Sequence, residues 1–319
     1  MQPGDVLDRY EILSFLGQGG NGIVYLAKDT HLGKKWAIKQ IVKKELKNEN
    51  QILNEVLLMM ELDHHGIPRV TDQMEDEDSY YIVMDFCKGD SLWEYCKKHT
   101  VTVEDVIDWG IQLCDILEYL HSRKPAIIFR DMKPGNIICD EKKQLKLIDF
   151  GIARVEGDLQ DAKGTKGYAA PEQFKGISSV QSDIYNLGAT LSWCMGEQQY
   201  RPLQAVLEKA MEELPKYRYQ SSIEMRHKLL ALQKKCGAKG RNRILWSCFC
   251  SFCISIALTF LYSSFMRIED QDNLFLDSMN RIEQCLEREI REERSEYEKF
   301  LEQKKAVLEK QLQNLEGKV

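Results

Sequence analysis

The chain has 319 residues, a formal net charge of −6 and 43% apolar residues. This length suits one large domain or two small ones, and the apolar fraction is enough for a full-sized core. Because the chain has no basic excess, nucleic acid is not expected as its main partner. Its ten cysteines show no paired spacing, which indicates free thiols in a reducing compartment. The N-terminal residues are polar, so we expect no cleavable signal peptide.

The first 235 residues alternate between strand-like and helix-like segments. Turn residues separate the strand-like segments, and the helix-like segments have the apolar period of an α-helix. The predicted strands are 10–16, 23–29, 34–41 and 80–85, and the predicted helices are 45–62, 91–99, 103–122, 182–195 and 203–213. A start rich in strands and a remainder rich in helices indicate two lobes with a cleft between them.

A glycine-rich turn joins the first two predicted strands and contains Gly17, Gly19, Gly20 and Gly22. Glycine lets the backbone approach a phosphate and present N–H donors to it. A hairpin that only needs positive φ would give the same pattern, so the turn alone leaves both interpretations open. A strand follows the turn, whereas a dinucleotide-binding fold would have a helix there.

Lys39 lies inside the apolar third strand. A buried ammonium group needs a partner or a function. One function is to bind the α- and β-phosphates of a nucleotide while a carboxylate on the next helix holds the lysine in place. Glu55 is the candidate for that carboxylate. A solvated lysine at a sheet edge is the alternative.

Three further motifs lie in the helix-rich part, and they are FRDMKPGN at 129–136, DFG at 149–151 and APE at 170–172. Phosphoryl transfer needs a carboxylate that orients the attacking hydroxyl, a cation near the γ-phosphate, and oxygen ligands for Mg²⁺. Asp131, Lys133, Asn136 and Asp149 suit these roles in turn. Five motifs in this order and at these separations are not expected by chance.

In these motifs, residues 10–235 resemble the eukaryotic-like Ser/Thr protein kinases, and the overall pattern resembles that of bacterial members. The resemblance implies an α+β fold of two lobes, a β-rich N-lobe and a helical C-lobe, with ATP and Mg²⁺ (or Mn²⁺) in the cleft. It implies transfer of the γ-phosphate to protein hydroxyls, and Lys133 two residues after the presumed base is the Ser/Thr-kinase arrangement. The rival interpretation is a pseudokinase scaffold that binds ATP without catalysis, and the complete catalytic set argues against it.

The resemblance also implies roles for individual residues. Those at the ATP site are Leu16, the adenine contacts Val24, Ala37 and Ile138, the gatekeeper Met84, the hinge residues Asp85 and Cys87, and Asp90 near the ribose. In the activation segment it implies an ion pair between Glu172 and Arg218. Thr165 is expected to contact the catalytic Asp and Lys; a regulatory phosphate on Thr165 is the alternative. Asp183 is expected to brace the catalytic loop.

Two departures from the family pattern stand out. Phe129 replaces the usual His in an apolar column that also contains Met59, Val70 and Phe150, and we expect the column to pack regardless. The segment after Met195 is shorter than the family usually has. We therefore expect the C-lobe to lack a helix that commonly serves as a docking surface.

The segment 244–266 contains no charged residue and is long enough to cross a bilayer. A buried core helix is the alternative, although such uncharged runs rarely exceed about 14 residues in soluble cores. The linker 236–243 before it is basic, and acidic residues follow it. The distribution of charge predicts a single-pass protein of the cell membrane, with the kinase domain (1–235) and its protein substrates in the cytoplasm and the tail (267–319) outside.

The tail is charged and helix-prone, and its apolar residues recur irregularly, so a coiled coil and a single solvated helix both stay open. Small hydroxyl residues recur at four-residue spacing through the predicted span, at Ser247, Ser251, Ser255, Thr259 and Ser263. This spacing places them on one helix face, where they would allow close approach of a second helix. A homodimer through the span and the tail is one expectation. Hydrogen bonds from these hydroxyls to their own helix are the alternative.

Overall fold

The computed structural model describes residues 1–19, 22–45, 59–150, 154–155, 164–265 and 273–316. Gly20, Glu55 and most of the predicted helix 45–62 lie outside the described residues. The chain divides into two units, 1–236 and 237–319.

The first part of the chain forms one six-stranded antiparallel sheet, because short turns join strands whose side chains alternate between its faces. The strands are β1 (Val6–Leu7), β2 (Tyr10–Gly19), β3 (Gly22–Asp29), β4 (Lys35–Val42), β5 (Val70–Glu75) and β6 (Ser79–Asp85). Their spatial order is β1-β2-β3-β4-β6-β5. Strand β5 is not among the strands predicted from the sequence, because most of its residues (VTDQME) are polar and alternate residues face solvent.

The register of the sheet assigns its two faces. Ala37 of β4 lies opposite Met84 of β6, and Lys39 lies opposite Val24 of β3. Residues directly opposite one another, and residues two apart on one strand, share a face. Val24, Ala37, Lys39 and Met84 therefore lie on the same face, whereas a separate apolar cluster that includes Ile38 covers the other.

Helices dominate the rest of the first unit, and they are α1 (Leu92–Lys98), α2 (Val103–His121), α3 (Val180–Met195), α4 (Arg201–Ala210) and the start of α5 (Ser222–Phe265). Thr102 and Asp105 form a capping box that begins α2. Helix α3 packs between α2 and α4, and these helices surround one buried apolar core. The predicted two-lobed fold, a β-sheet lobe followed by a helical lobe, is confirmed.

Short strands complete the helical lobe, and they are β7 (Asp90–Ser91), β8 (Ile127–Ile128), β9 (Ile137–Cys139), β10 (Leu145–Leu147) and β11 (Arg154–Val155). They pair as β10-β9-β7 and β11-β8. Strand β7 directly precedes α1, so it links the end of β6 to the helical lobe. Between α3 and α4 the chain has only the loop 196–200.

The second unit contains the end of α5 and the helix α6 (Asn273–Glu316). Ser255 and Leu258 of α5 line a cavity together with Ile282 and Leu286 of α6, so these helices lie side by side there. The Thr259 hydroxyl donates to main-chain oxygens of its own helix.

Among the residues that the structure describes, no helix combines the length and the apolar character that crossing a membrane requires. Residues 244–265 of the predicted span belong to α5, and of these only 251–259 have described side chains. The span stays a prediction from the sequence.

Candidate active site

A residue of helix α3 holds the loop 129–136, which directly precedes β9. Asp183, which is fully buried, accepts hydrogen bonds from the backbone N–H of Phe129 at 2.8 Å and of Arg130 at 2.7 Å. The ring of His121 lies 2.9 Å from the same carboxylate. Arg130 has φ of +72°, a left-handed value that a non-glycine residue keeps only where its surroundings impose it. These bonds therefore fix the backbone that carries Asp131.

A second set of buried polar side chains holds the same loop, and these residues were not predicted from the sequence. Thr190 of α3 donates to the Met132 carbonyl at 2.9 Å. Gln173 donates to the Arg130 carbonyl at 2.8 Å and itself accepts from Asn186 at 2.8 Å. The available signal was the polar Asn186 and Thr190 within the mostly apolar later part of α3, because buried polar groups need hydrogen-bond partners.

The carboxylate of Asp131 lies at the centre of a hydrogen-bonded cluster. Lys133 Nζ is 2.7 Å from Asp131 Oδ2, and the Thr165 hydroxyl donates to Asp131 Oδ1 at 2.7 Å. Lys133 also donates to the Thr165 oxygen at 3.0 Å. Asn136 Nδ2 donates to Asp131 Oδ2 at 2.9 Å. Both carboxylate oxygens are oriented, and an ammonium group lies beside them.

Two oxygen donors beside this cluster fit a divalent cation. Asn136 uses its amide nitrogen for Asp131, which leaves its amide oxygen for a ligand. The backbone of Ile148 donates to the Asn136 carbonyl at 2.8 Å, which brings the neighbouring Asp149 close. A carboxylate and an amide oxygen are hard ligands of the kind that Mg²⁺ prefers.

Lys39 and Asp149 join the two lobes across the cleft. Lys39 is buried, and its Nζ is 3.1 Å from Asp149 Oδ1. Asp149 has φ of +64°, so its backbone is held in a left-handed conformation. Glu55, the expected helix partner of Lys39, lies outside the described residues. The observed geometry excludes a solvated edge position for Lys39.

The predicted adenine contacts come from both lobes. Val24 and Ala37 share a face of the large sheet, and Ile138 lies on β9 of the helical lobe. Met84 lies at the end of β6, buried beside Ala37. Leu16 on β2 is 44% exposed. The cleft therefore has apolar groups on either side, as a planar base requires.

The glycines of the glycine-rich turn differ in how much space surrounds them. At Gly22, φ is +130° and a Cβ would lie 2.3 Å from the Gln40 carbonyl, so the hairpin itself requires glycine. At Gly17 and Gly19, a Cβ would meet no described atom within 4 Å. The packing of the described residues therefore does not explain these two glycines, and the open space beside them is compatible with the predicted approach of a phosphate.

The hinge residues have specific partners. The Asp85 N–H donates to the Arg69 carbonyl at 3.0 Å, and the Asp85 carbonyl accepts from the Cys87 thiol at 3.8 Å. Burial raises the pKa of the Cys87 thiol to about 11. The Asp90 carboxylate accepts from Lys98 at 2.8 Å.

The apolar column forms with Phe129 in it. The rings of Phe129 and Phe150 meet edge to face with centroids 5.0 Å apart, and both are fully buried. Met59 is buried in the same cluster, and Val70 packs against it. The helical lobe therefore accommodates a Phe where the family usually has His.

Glu172 and Arg218 connect the end of the activation segment to the turn before α5. Arg218 donates to both carboxylate oxygens, at 2.6 Å and 2.9 Å. Ser182 donates to the same carboxylate at 2.7 Å. Burial alone would raise the pKa of Glu172, but the hydrogen bonds from Arg218 and Ser182 outweigh burial and lower it from its ordinary value.

Eight known proteins similar to this chain are protein kinases by name. The chain is 35% identical over 200 residues to a probable serine/threonine-protein kinase nek2 of Dictyostelium discoideum, covering 58% of this chain and 48% of that protein. It is 33% identical over 195 residues to a probable serine/threonine-protein kinase PknB of Lactococcus lactis, covering 58% of this chain and 31% of that protein. It is 34% identical over 194 residues to the serine/threonine-protein kinase PrkC of Bacillus subtilis, covering 57% and 30%.

The chain thus spans about half or less of the length of the curated relatives it matches. The family model for the protein kinase domain matches residues 10–314, which is more than half of the chain. On this match, and on the geometry around Asp131 and Asp149, the chain belongs to the protein kinase family.

Proposed function

We propose that this chain is an ATP-dependent Ser/Thr protein kinase. The observation that carries the proposal is the contact of both Lys133 and Thr165 with the carboxylate of Asp131. A carboxylate held by two neighbours and paired with an ammonium group suits proton transfer from a hydroxyl during phosphoryl transfer.

Each side chain has a defined part in the proposed reaction. Asp131 accepts a hydrogen bond from the incoming Ser or Thr hydroxyl, orients its oxygen, and takes its proton. Lys133 stabilises negative charge on the transferred group, and Lys39 binds the phosphates that stay behind. Asn136 and Asp149 would hold Mg²⁺, which when bound neutralises charge on the phosphate oxygens.

The test compares the purified full-length chain with its Asp131→Asn variant. The wild-type protein should transfer radiolabelled phosphate to a generic acceptor such as casein, with label on Ser and Thr and none on Tyr. Asp131→Asn should lower the rate by about 100-fold or more while ATP binding stays nearly unchanged. ATP binding with no transfer by the wild-type protein would support the pseudokinase scaffold instead.

We propose a membrane-anchored form of this kinase from the sequence alone. The supporting observations are the uncharged segment 244–266, the basic linker before it and the acidic residues after it. The kinase domain and its substrates would lie in the cytoplasm and the tail outside. Release of the full-length chain from membranes by alkaline carbonate would contradict the anchoring. Protection of the tail from protease added outside intact cells would contradict the orientation.

Self-association through the segment 244–266 is a separate part of the proposal. Ser251 and Ser255 share one helix face and would allow two helices to approach closely. Replacing both with Leu should weaken crosslinking between full-length chains in membranes. The bond of Thr259 to its own helix favours the alternative, in which these hydroxyls have no partner chain. Unchanged crosslinking in the double variant would support that alternative.

A further inference from the structure

Helix α1 and the last turn of α3 lie beside each other. The rings of Trp93 and Trp193 are stacked, with centroids 4.5 Å apart and an interplanar angle of 12°. Cys96 follows Trp93 by three residues and therefore shares its face of α1, and Cys194 directly follows Trp193 at the end of α3. The stacked rings hold together two helix segments whose cysteines line the same surface cavity.

The two thiols differ in their surroundings. Cys96 is partly exposed, whereas Cys194 is buried. The neighbouring Cys194 thiol lowers the pKa of Cys96, while the same interaction and burial raise the pKa of Cys194. Burial also raises the pKa of Cys114 and of Cys139. The thiolate is the reactive form of cysteine, so Cys96 is the more reactive of these four thiols.

Solvent reaches the pair through a surface cavity. Cys96, Cys194, Val101 and Met195 line it, with Lys97 at the rim. A molecule as small as hydrogen peroxide can enter this cavity. Neither cysteine has a part in the proposed phosphoryl transfer, so their proximity is not explained by that reaction.

We propose that Cys96 and Cys194 are an oxidation site, at which hydrogen peroxide converts the two thiols into an intramolecular disulfide. The Cys96 thiolate attacks one peroxide oxygen, the O–O bond breaks, and the leaving hydroxide takes a proton to become water. The product is a sulfenic acid on Cys96. The Cys194 sulfur then attacks the Cys96 sulfur, the S–O bond breaks, and hydroxide leaves as water with the Cys194 proton. Two thiols are oxidised and one peroxide is reduced to two waters.

The disulfide would join two helices that flank the catalytic loop. Helix α1 follows β7 directly and contacts the turn Pro134–Asn136. Helix α3 carries Thr190, which donates to the carbonyl of Met132 beside the presumed base. A covalent link between the helices would restrict the unfolded chain, so oxidation should raise the thermal midpoint by about 5 °C.

The experiment treats the reduced full-length protein with hydrogen peroxide, blocks free thiols, digests without reductant and identifies linked peptides by mass spectrometry. We expect a Cys96–Cys194 peptide that dithiothreitol reverses and that Cys96→Ser abolishes. The control Cys285→Ser, an exposed cysteine of α6, should keep the link. The proposal would be overturned if Cys96 were oxidised while the Cys194 thiol could still be alkylated. It would also be overturned if the Cys96–Cys139 disulfide formed in the same amount as the Cys96–Cys194 disulfide.

A trapping experiment tests the first step independently of the link. In Cys194→Ala, the sulfenic acid on Cys96 has no partner thiol and should accumulate as an adduct with dimedone. We expect labelling of Cys96 to exceed that of Cys139 by about tenfold. Equal labelling of the two residues would overturn the assignment of Cys96 as the reactive thiol. Both readouts are independent of kinase activity, so they stand apart from the test of the proposed function.

Discussion

Arg218 and Glu172 form a bidentate ion pair that is almost completely removed from solvent, with side-chain exposures of 0% and 11%. Arg218 also donates to the carbonyls of Glu212 and Glu213, so the guanidinium has partners on several sides. The pair ties the end of the activation segment to the loop after α4. Removing one partner leaves the other as a buried charge without compensation.

Arg218→Ala should therefore lower the free energy of unfolding of the kinase unit by about 3–5 kcal/mol. Thermal unfolding monitored by circular dichroism is the measurement. Arg218→Lys keeps the charge but loses the pair of parallel hydrogen bonds. Its free energy of unfolding should therefore lie between those of the wild type and the alanine variant. Arg291→Ala is the matched control, because Arg291 pairs with Glu287 on the exposed surface of α6 and should cause no measurable change. An Arg218→Ala protein as stable as the control would contradict the argument.

The same pair predicts how stability depends on acid. The pKa of Glu172 is lower in the folded protein than its ordinary value of 4.5. The stabilisation is therefore fully present above pH 4.5 and is lost as the pH falls through the folded pKa. In Glu172→Gln, this part of the acid dependence should be missing, so the thermal midpoint should fall less steeply below pH 4.5 than in the wild type. Parallel curves for the two proteins would show that Glu172 is not responsible.

The Thr165 hydroxyl should act as a positioning group for Asp131. Thr165→Val removes the bond to Asp131 Oδ1 and should lower kcat by about 10- to 100-fold, with KM for ATP nearly unchanged. Thr165→Ser keeps the hydroxyl and should restore most of the rate. Steady-state kinetics on the full-length chain provide the comparison. Stoichiometric phosphate on Thr165 in active protein would contradict this role, because the hydroxyl would then be unable to hold Asp131.

Short motifs allowed the sequence to predict the residues around the cleft. Asp131, Lys133 and Asn136 lie within six positions, and local backbone geometry brings them together. Gln173 and Thr190 escaped notice because their role depends on contacts with a loop some 40 to 60 residues earlier in the chain. In that loop their hydrogen-bond partners are backbone carbonyls. Every residue has such a carbonyl, so the residue types in the sequence do not indicate the contact.

The resemblance was less informative about groups whose role depends on neighbours outside the motifs. The expected position of Asp90 near the ribose stays a prediction, and its carboxylate accepts from Lys98. The hinge role of the Asp85 backbone also stays a prediction, and its N–H donates to the Arg69 carbonyl. Family motifs predict which residue types come together, whereas the pairing of surface charges depends on long side chains that motifs do not specify.

Cys87 should be a slow nucleophile at neutral pH despite its position at the hinge. Burial raises the pKa of its thiol to about 11, so on the order of one thiol in ten thousand is ionised at pH 7. The rate of alkylation by iodoacetamide should rise about tenfold per pH unit between pH 7 and pH 10, because only the thiolate reacts. Peptide mass spectrometry of the full-length protein can follow Cys87 and the exposed Cys285 in one sample. Cys285 should be alkylated faster at pH 7, and a Cys87 rate that is fast and independent of pH would show that the hinge does not bury this thiol.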